Sequence, residues 1–165
     1  MATGPIPDRS PNSRSVQLAV PPTVRVEVVD EATPEVHAAL ERLLPQLNPR
    51  LTLPPFERLE AIVADPSVTL LVARDGAEIV GTATVIVYTT PFWIKARLDE
   101  VVVDEAARGK GVGAALVTAC VDIAREKGAQ VAELQSGVQR DAANRLYPRM
   151  GFERRESNLY RMVLG

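Results

Sequence analysis

The segment Arg108-Gly109-Lys110-Gly111-Val112-Gly113 sets three glycines in alternation where a helical pattern begins. Glycine lacks a Cβ, so the backbone there can come close to a bulky anion and turn several N–H groups toward it. At a helix start those groups have no intrahelical partner, and the helix dipole adds partial positive charge. A diphosphate is the expected guest, with Arg108 and Lys110 placed to add charge from the sides. Three readings compete. A phosphate-binding P-loop needs a Lys-Ser/Thr pair after its last glycine, and Ala114-Ala115 stands there instead. A dinucleotide fingerprint is spelled by Gly109 to Ala114 as GxGxxA, with Glu133 about twenty residues on. That motif, however, turns directly from strand into helix, whereas Asp104 to Ala107 intervenes here, and little chain is left for the strands it requires. The third reading is a glycine-rich helix start with no ligand.

Few other residues could carry chemistry unaided. His37 is the single histidine and Cys120 the single cysteine, so a disulfide, a cysteine-rich zinc site or a histidine-based metal site has almost no material. No metal is expected. His37 reads as a helix-surface residue and Cys120 as a buried thiol on an apolar stripe, not a nucleophile. Net charge is -2 with sixteen Arg against three Lys, which gives no whole-surface basic field for nucleic acid. No apolar run approaches a membrane span, and the N-terminus lacks the apolar stretch of a signal peptide. A cytoplasmic protein with no membrane partner is the expectation.

The elements that must position the turn follow from periodicity. At 165 residues, 46% hydrophobic and 24% charged, the chain suits one compact domain. Residues 1–22, with Pro5, Pro7, Pro11, Pro21 and Pro22, read as a flexible Pro/Ser-rich tail, leaving 23–165 as the domain. Val24, Val26 and Val28 alternate as a strand. Thr33-Pro34-Glu35 is a helix start, with Val36, Leu40, Leu43, Leu44 and Leu47 at helical spacing until Pro45 and Pro49 disturb it. A second helix spans Pro55 to Ala64. Strands over Val68–Val72 and Glu78–Tyr88 form a hairpin about Asp75-Gly76. Thr89 to Ala96 reads as a loop or irregular lead-in, Leu98–Val103 as a strand, and Gly111–Lys127 as a helix closed by Gly128. Gln130–Leu134 is a strand, Asp141–Met150 a short helix, and two last strands are expected at Phe152–Glu156 and Leu159–Leu164. The order β-α-α-β-β-β-α-β-α-β-β gives an α/β class, with a mixed, mostly antiparallel sheet and helices on both faces.

Arg108-x-x-Gly111-x-Gly113 after a hydrophobic strand resembles the acyl-CoA signature of the GNAT superfamily of N-acetyltransferases. Downstream, Ala142-Ala143-Asn144-Arg145-Leu146-Tyr147-Pro148-Arg149-Met150-Gly151-Phe152 is similar to that superfamily's later motif, a short helix with a Tyr before a Gly-Phe/Tyr step. The two motifs stand in the right order, separated by one strand. The resemblance covers 23–165 in element order and 98–156 in detail. It implies acetyl-CoA as acyl donor and a sheet splayed between Leu98–Val103 and Gln130–Leu134, with the pantetheine arm in the gap. Cofactor contacts are then expected from Val101, Val102, Val103, Arg108, Gly109, Lys110, Gly111, Val112, Gly113, Ala114, Asn144 and Tyr147.

Acetyl transfer to an amine needs a base for the amine, donors for the oxyanion and an acid for the leaving thiolate. The resemblance implies Tyr147 as that acid, since a phenol pKa of about 10 lies near that of an alkyl thiol; the alternative is a ring packed under the adenine arm. It nominates Asp99 first and Glu100 second as base, often acting through water, against the alternative of solvated strand acids; alternation sends the two to opposite faces. The Val102 amide is the expected oxyanion donor. Asn144 either bonds the pantetheine arm or Tyr147's surroundings, or is a plain polar helix residue. Pro148 departs from the pattern by following Tyr147 where a helix former is usual, removing the bond to the Asn144 carbonyl. Phe92 and Trp93 either line an acceptor pocket or pack in a homodimer. The function implied is N-acetylation of a small-molecule or peptide primary amine by direct attack. The alternatives are a non-catalytic acyl-CoA-binding regulatory module and a dinucleotide-binding protein.

Overall fold

The computed structural model describes residues 23–50 and 52–164, so the expected tail over 1–22 lies outside the described residues. β1 (Val24–Val28) leads to α1 (Pro34–Leu47), where the Thr33 hydroxyl accepts from the Val36 amide at 3.2 Å and Glu35 sits in the first turn. This is the N-terminal cap that the sequence spells. Pro45 falls in the last turn without ending the helix, which closes when the Asn48 amide bonds the Leu44 carbonyl. α2 (Phe56–Ala64) follows, then β2 (Val68–Asp75) and β3 (Glu78–Thr89) as a hairpin, β4 (Ile94–Val103), a 3₁₀ turn over Glu105–Ala107, α3 (Val112–Glu126), β5 (Val131–Leu134) and α4 (Asp141–Arg149).

The sheet has the order β1-β2-β3-β4-β5, antiparallel except for the parallel pair β4–β5. Two apolar cores cover its faces. Leu116, Val117 and Cys120 of α3 pack on Leu71, Val85, Ala96 and Leu98, while Leu40 and Leu43 of α1 with Leu59 of α2 pack on Leu70, Val72 and Ile79. An alternating sheet buried on both sides explains why β2 and β3 read as near-continuous apolar runs. Among the described residues no helix is long and apolar enough to cross a membrane.

Three expectations need correction. β4 begins at Ile94, not Leu98, because the Thr90 amide bonds the Trp93 carbonyl at 2.7 Å and the Thr90 hydroxyl accepts from the Trp93 amide. That tight turn lets pairing resume at once. The C-terminal strands expected at Phe152–Glu156 and Leu159–Leu164 do not form, and Glu153 to Leu164 stands exposed without strand pairing. Alternation also fails at Glu100, where pairing slips from Thr84↔Asp99 to Thr82↔Val102. Glu100 and Val101 together oppose Ala83, a β-bulge with Glu100 at φ 52. Before the bulge Ala96 and Leu98 face α3; after it Val101 and Val103 do, and Val102 turns to the α1 side.

Candidate functional site

The bulge shapes the edge of β4 that looks toward β5. The two strands pair only from Lys95↔Val131 to Leu98↔Leu134, and β4 then runs on to Val103 with no neighbour on that side. On the β3 side, the Asp104 amide bonds the Val80 carbonyl at 2.8 Å. Antiparallel pairs alternate between bonded and non-bonded, so Val102, two residues back and opposite Thr82, also spends its amide on β3. Val103 and Val101 therefore turn their N–H groups into the splay. The Val103 carbonyl points the same way and accepts from Arg108 Nε at 3.2 Å. The Val102 amide is therefore directed to β3 and not into the splay, which the Val101 and Val103 amides face.

Beyond β4, the Asp104 carboxylate caps the 3₁₀ turn through the Ala106 amide at 3.1 Å and pairs with Arg42 of α1. Gln46, one turn further along α1, accepts from the Glu105 amide at 3.1 Å. These bonds fasten the glycine turn to α1. Gly109 and Gly111 then adopt φ 76 and 79, left-handed values that cost a side-chain-bearing residue strain. Gly111 is the N-cap of α3, and its carbonyl takes the Ala115 amide at 3.0 Å. Among the described residues, none of the amides from Gly109 to Ala114 donates to a backbone or side-chain acceptor. The other three helices begin with Glu35, Glu57 and Asp141, whereas α3 has no acid in its first turn. Its dipole is left for an outside anion.

α4 forms the opposite wall. Its C-terminus is a Schellman motif: the Phe152 amide bonds the Tyr147 carbonyl at 3.1 Å and the Gly151 amide bonds the Pro148 carbonyl at 3.1 Å, with Gly151 at φ 91. The motif's apolar contact joins its first and last residues, here the Tyr147 and Phe152 rings at 5.9 Å edge to face. The Gly-Phe step therefore orients Tyr147, and Pro148 sits inside α4 without displacing it. Burial pushes the Tyr147 phenol above its ordinary value; Arg140 opposes this weakly, and Cys120 adds to it. A neutral hydroxyl at physiological pH follows.

Between these walls lies a cleft of about 740 Å³. Val101, Val102, Val103, Arg108, Gly109, Gly111, Val112, Gly113, Ala114 and Tyr147 line it, joined by Arg140, Arg145 and Arg149, which sequence reasoning did not single out. Three arginines within ten residues, at the cap and along one short helix, were the available signal. Of the expected site residues, Asp99, Glu100, Lys110 and Asn144 do not line the cleft. The Asn144 amide group donates to the Gly137 carbonyl at 2.9 Å, holding the β5–α4 loop. Asp99 lies beside Arg97, whose Nε reaches both carboxylate oxygens at 3.2 Å. Glu100 carries no such partner, and desolvation, with the Asp99 charge second, raises its carboxyl above the ordinary value. Phe92 and Trp93 precede β4, at its other end, roughly 30 Å along the strand from the glycine turn. They line no part of the cleft. Cys120 is fully buried, with burial pushing its thiol up to about 12, and His37 is engaged with the Pro54 carbonyl at 3.1 Å. Among the described residues no group of side chains could hold a metal.

A mixed sheet that splays beside a helix start with open amides defines a class: an α/β fold whose splay opens onto a cleft lined by amides and guanidinium groups. The dinucleotide alternative needs a parallel sheet, and among the described residues only β4–β5 is parallel. The chain belongs to the acetyltransferase (GNAT) family, whose model matches residues 34–152. An uncharacterized N-acetyltransferase of Methanocaldococcus jannaschii is 38% identical over 61 residues, 37% of this chain and 27% of that protein. The match thus spans about a quarter of the relative's length. A structure from Bacillus halodurans described as a transcriptional regulator is 28% identical with TM-score 0.74, covering 85% of this chain and 99% of the other. An aminoglycoside acetyltransferase from an uncultured soil metagenomic sample shares the fold at TM-score 0.75 and 22% identity, covering 86% and 97%.

Proposed function

We propose that this chain transfers an acetyl group from acetyl-CoA to a primary amine by direct attack, with no acyl-enzyme intermediate. The observation that carries the reading is the row of open amides at an α3 start without an acid, facing a cleft lined by Arg108, Arg140, Arg145 and Arg149. A diphosphate fits those amides, and the four guanidiniums suit a ligand with a further phosphate. When bound, acetyl-CoA supplies the activated acyl carbon.

The chain's residues divide the remaining work. The Val101 amide, unpaired in the splay, donates to the acyl oxygen as it gains negative charge, and the Val103 amide, two residues nearer the glycine turn, is left for the pantetheine arm. Glu100, held at the bulge in a strained left-handed conformation, accepts the amine proton directly or through one water, its raised carboxyl value making it a better base than an ordinary glutamate. Asp99 is the weaker candidate because Arg97 already occupies both its oxygens. Tyr147 donates its proton to the departing sulfur as the C–S bond breaks and the C–N bond forms.

The test is an amine panel with acetyl-CoA as donor, following release of free thiol. Aminoglycosides belong in the panel because the metagenomic neighbour carries that name. Thiol release dependent on one acceptor class supports the reading. Tight acetyl-CoA binding with no release across the panel would favour a non-catalytic acyl-CoA-binding module, a reading to which the neighbour described as a transcriptional regulator lends some weight.

A further inference from the structure

α4 carries Tyr147, yet it is thinly held. Its apolar stripe of Ala143, Leu146, Tyr147 and Met150 stands at helical spacing but is only half-buried, and none of its residues is fully buried. Burial of that kind is non-directional, so it does little to fix the position of the helix along its axis. The polar bonds of α4 are mostly local. The Arg140 amide and the Asn144 side chain both donate to the Gly137 carbonyl, and the C-terminal cap closes on Tyr147 and Pro148. One bond reaches further. The Arg140 guanidinium donates to the Leu47 carbonyl at 2.5 Å, across 93 positions of sequence. Among the described residues it is the one hydrogen bond that ties α4 or its N-cap to a part of the chain beyond its own flanking loops.

The acceptor is equally specific. Leu47 ends α1, where carbonyls lack intrahelical partners and the helix dipole is negative. α1 has no basic residue in its last turn, so Arg140 supplies from outside the cation that this end lacks. The same turn carries Gln46, whose side chain accepts from the Glu105 amide at 3.1 Å and from Arg108 at 3.5 Å. The end of α1 thus touches both walls of the cleft, the glycine turn through Gln46 and α4 through Leu47. Arg140 is the N-cap of α4, and Tyr147 lies two turns on, along the same face and about 10 Å further down the axis.

Resting on the acetyl-transfer reading, we propose that Arg140 is a positioning residue: its guanidinium on the Leu47 carbonyl latches α4 to the end of α1 and holds Tyr147 at the splay. A guanidinium carries further N–H donors, so the latch leaves some for a ligand in the cleft.

Hydrogen exchange and a double-mutant cycle on the full chain test the proposal. In Arg140→Ala the amides between Asn144 and Met150 should exchange about tenfold faster, the loss expected for a charge-assisted bond, while those of the β2–β3 hairpin keep their rates. Arg140→Lys keeps a donor on a long stem and should recover part of the protection; it replaces the alanine variant should that one not fold. Turnover at saturating acetyl-CoA should fall about tenfold in Arg140→Ala but change little further when Tyr147→Phe is already present, because both changes disable the same proton donor. Unchanged exchange in α4, with CoA binding weakened more at low salt than at high, would make Arg140 a phosphate contact and overturn the latch. Equal turnover losses with and without Tyr147→Phe would overturn it as well. The exchange readout needs no acceptor, so it stands or falls separately from the acetyl-transfer reading.

Discussion

Replacing Gly111 with alanine strikes the glycine turn while adding only a methyl group. Gly111 caps α3 at φ 79, where a residue with a Cβ is strained by roughly 1–2 kcal/mol. If the backbone holds its course, that cost appears as lost stability, a fall of about 2–4 °C in melting temperature per kcal/mol for a chain of this size. If the backbone relaxes to negative φ, the Val112, Gly113 and Ala114 amides swing away from their common focus. The same energy then appears as about 5- to 30-fold weaker CoA binding. Gly113→Ala is the control. Gly113 lies inside the helix, and a methyl there would meet Leu146 and Val103 side chains at an ordinary 3.6 Å. Its stability should hold or rise by up to about 1 kcal/mol. Thermal melts and CoA titration of both variants read the two costs separately. The reasoning is refuted if Gly111→Ala leaves melting temperature and CoA affinity unchanged, or if Gly113→Ala destabilises as much.

Tyr147→Phe should lower turnover at least tenfold while changing acetyl-CoA affinity little, since the ring and its contact with Phe152 are kept; unchanged turnover removes Tyr147 from the mechanism. Glu100 is exposed at the bulge, yet partial desolvation and then the Asp99 charge raise its folded carboxyl above 4.5, so between that value and the raised one the folded protein holds more protons than the unfolded chain. Stability contributed by the protonated form is therefore lost as pH rises through that window. Glu100→Gln should melt slightly higher than the parent at neutral pH, with the difference vanishing below 4.5, and should lose most activity; a lower melting temperature at neutral pH would contradict the desolvation argument. Arg149→Ala should weaken CoA binding about 5-fold at low salt and less at high salt, which isothermal titration at two ionic strengths checks.

Much of this architecture is legible in the sequence because its signals are local. Thr33-Pro34-Glu35 starts α1, Asp75-Gly76 turns the hairpin, Gly128 closes α3, and Gly109 to Gly113 marks the open helix start. The misses share a different cause. Alternation along β4 gives no warning of the bulge at Glu100, because the slip is set by pairing with Thr82 and Thr84 on another strand. The Val102 amide points to β3 for that reason, and the amides of its neighbours face the splay. Arg140, Arg145 and Arg149 belong to the cleft only because α4 lies opposite the start of α3, where Leu146 comes close to Gly113. The stretch Leu159–Leu164 has every local mark of a strand, but a strand also needs an edge to join.

The central claim is that the amides opening α3 seat the diphosphate of CoA. Titration of the full chain with CoA, and separately with NAD, tests it most directly, because both carry a diphosphate but only one carries a pantetheine arm to enter the splay. Saturable binding of CoA at micromolar concentration, with NAD failing to compete, is the predicted result. Absence of CoA binding, or binding of NAD with comparable affinity, contradicts it.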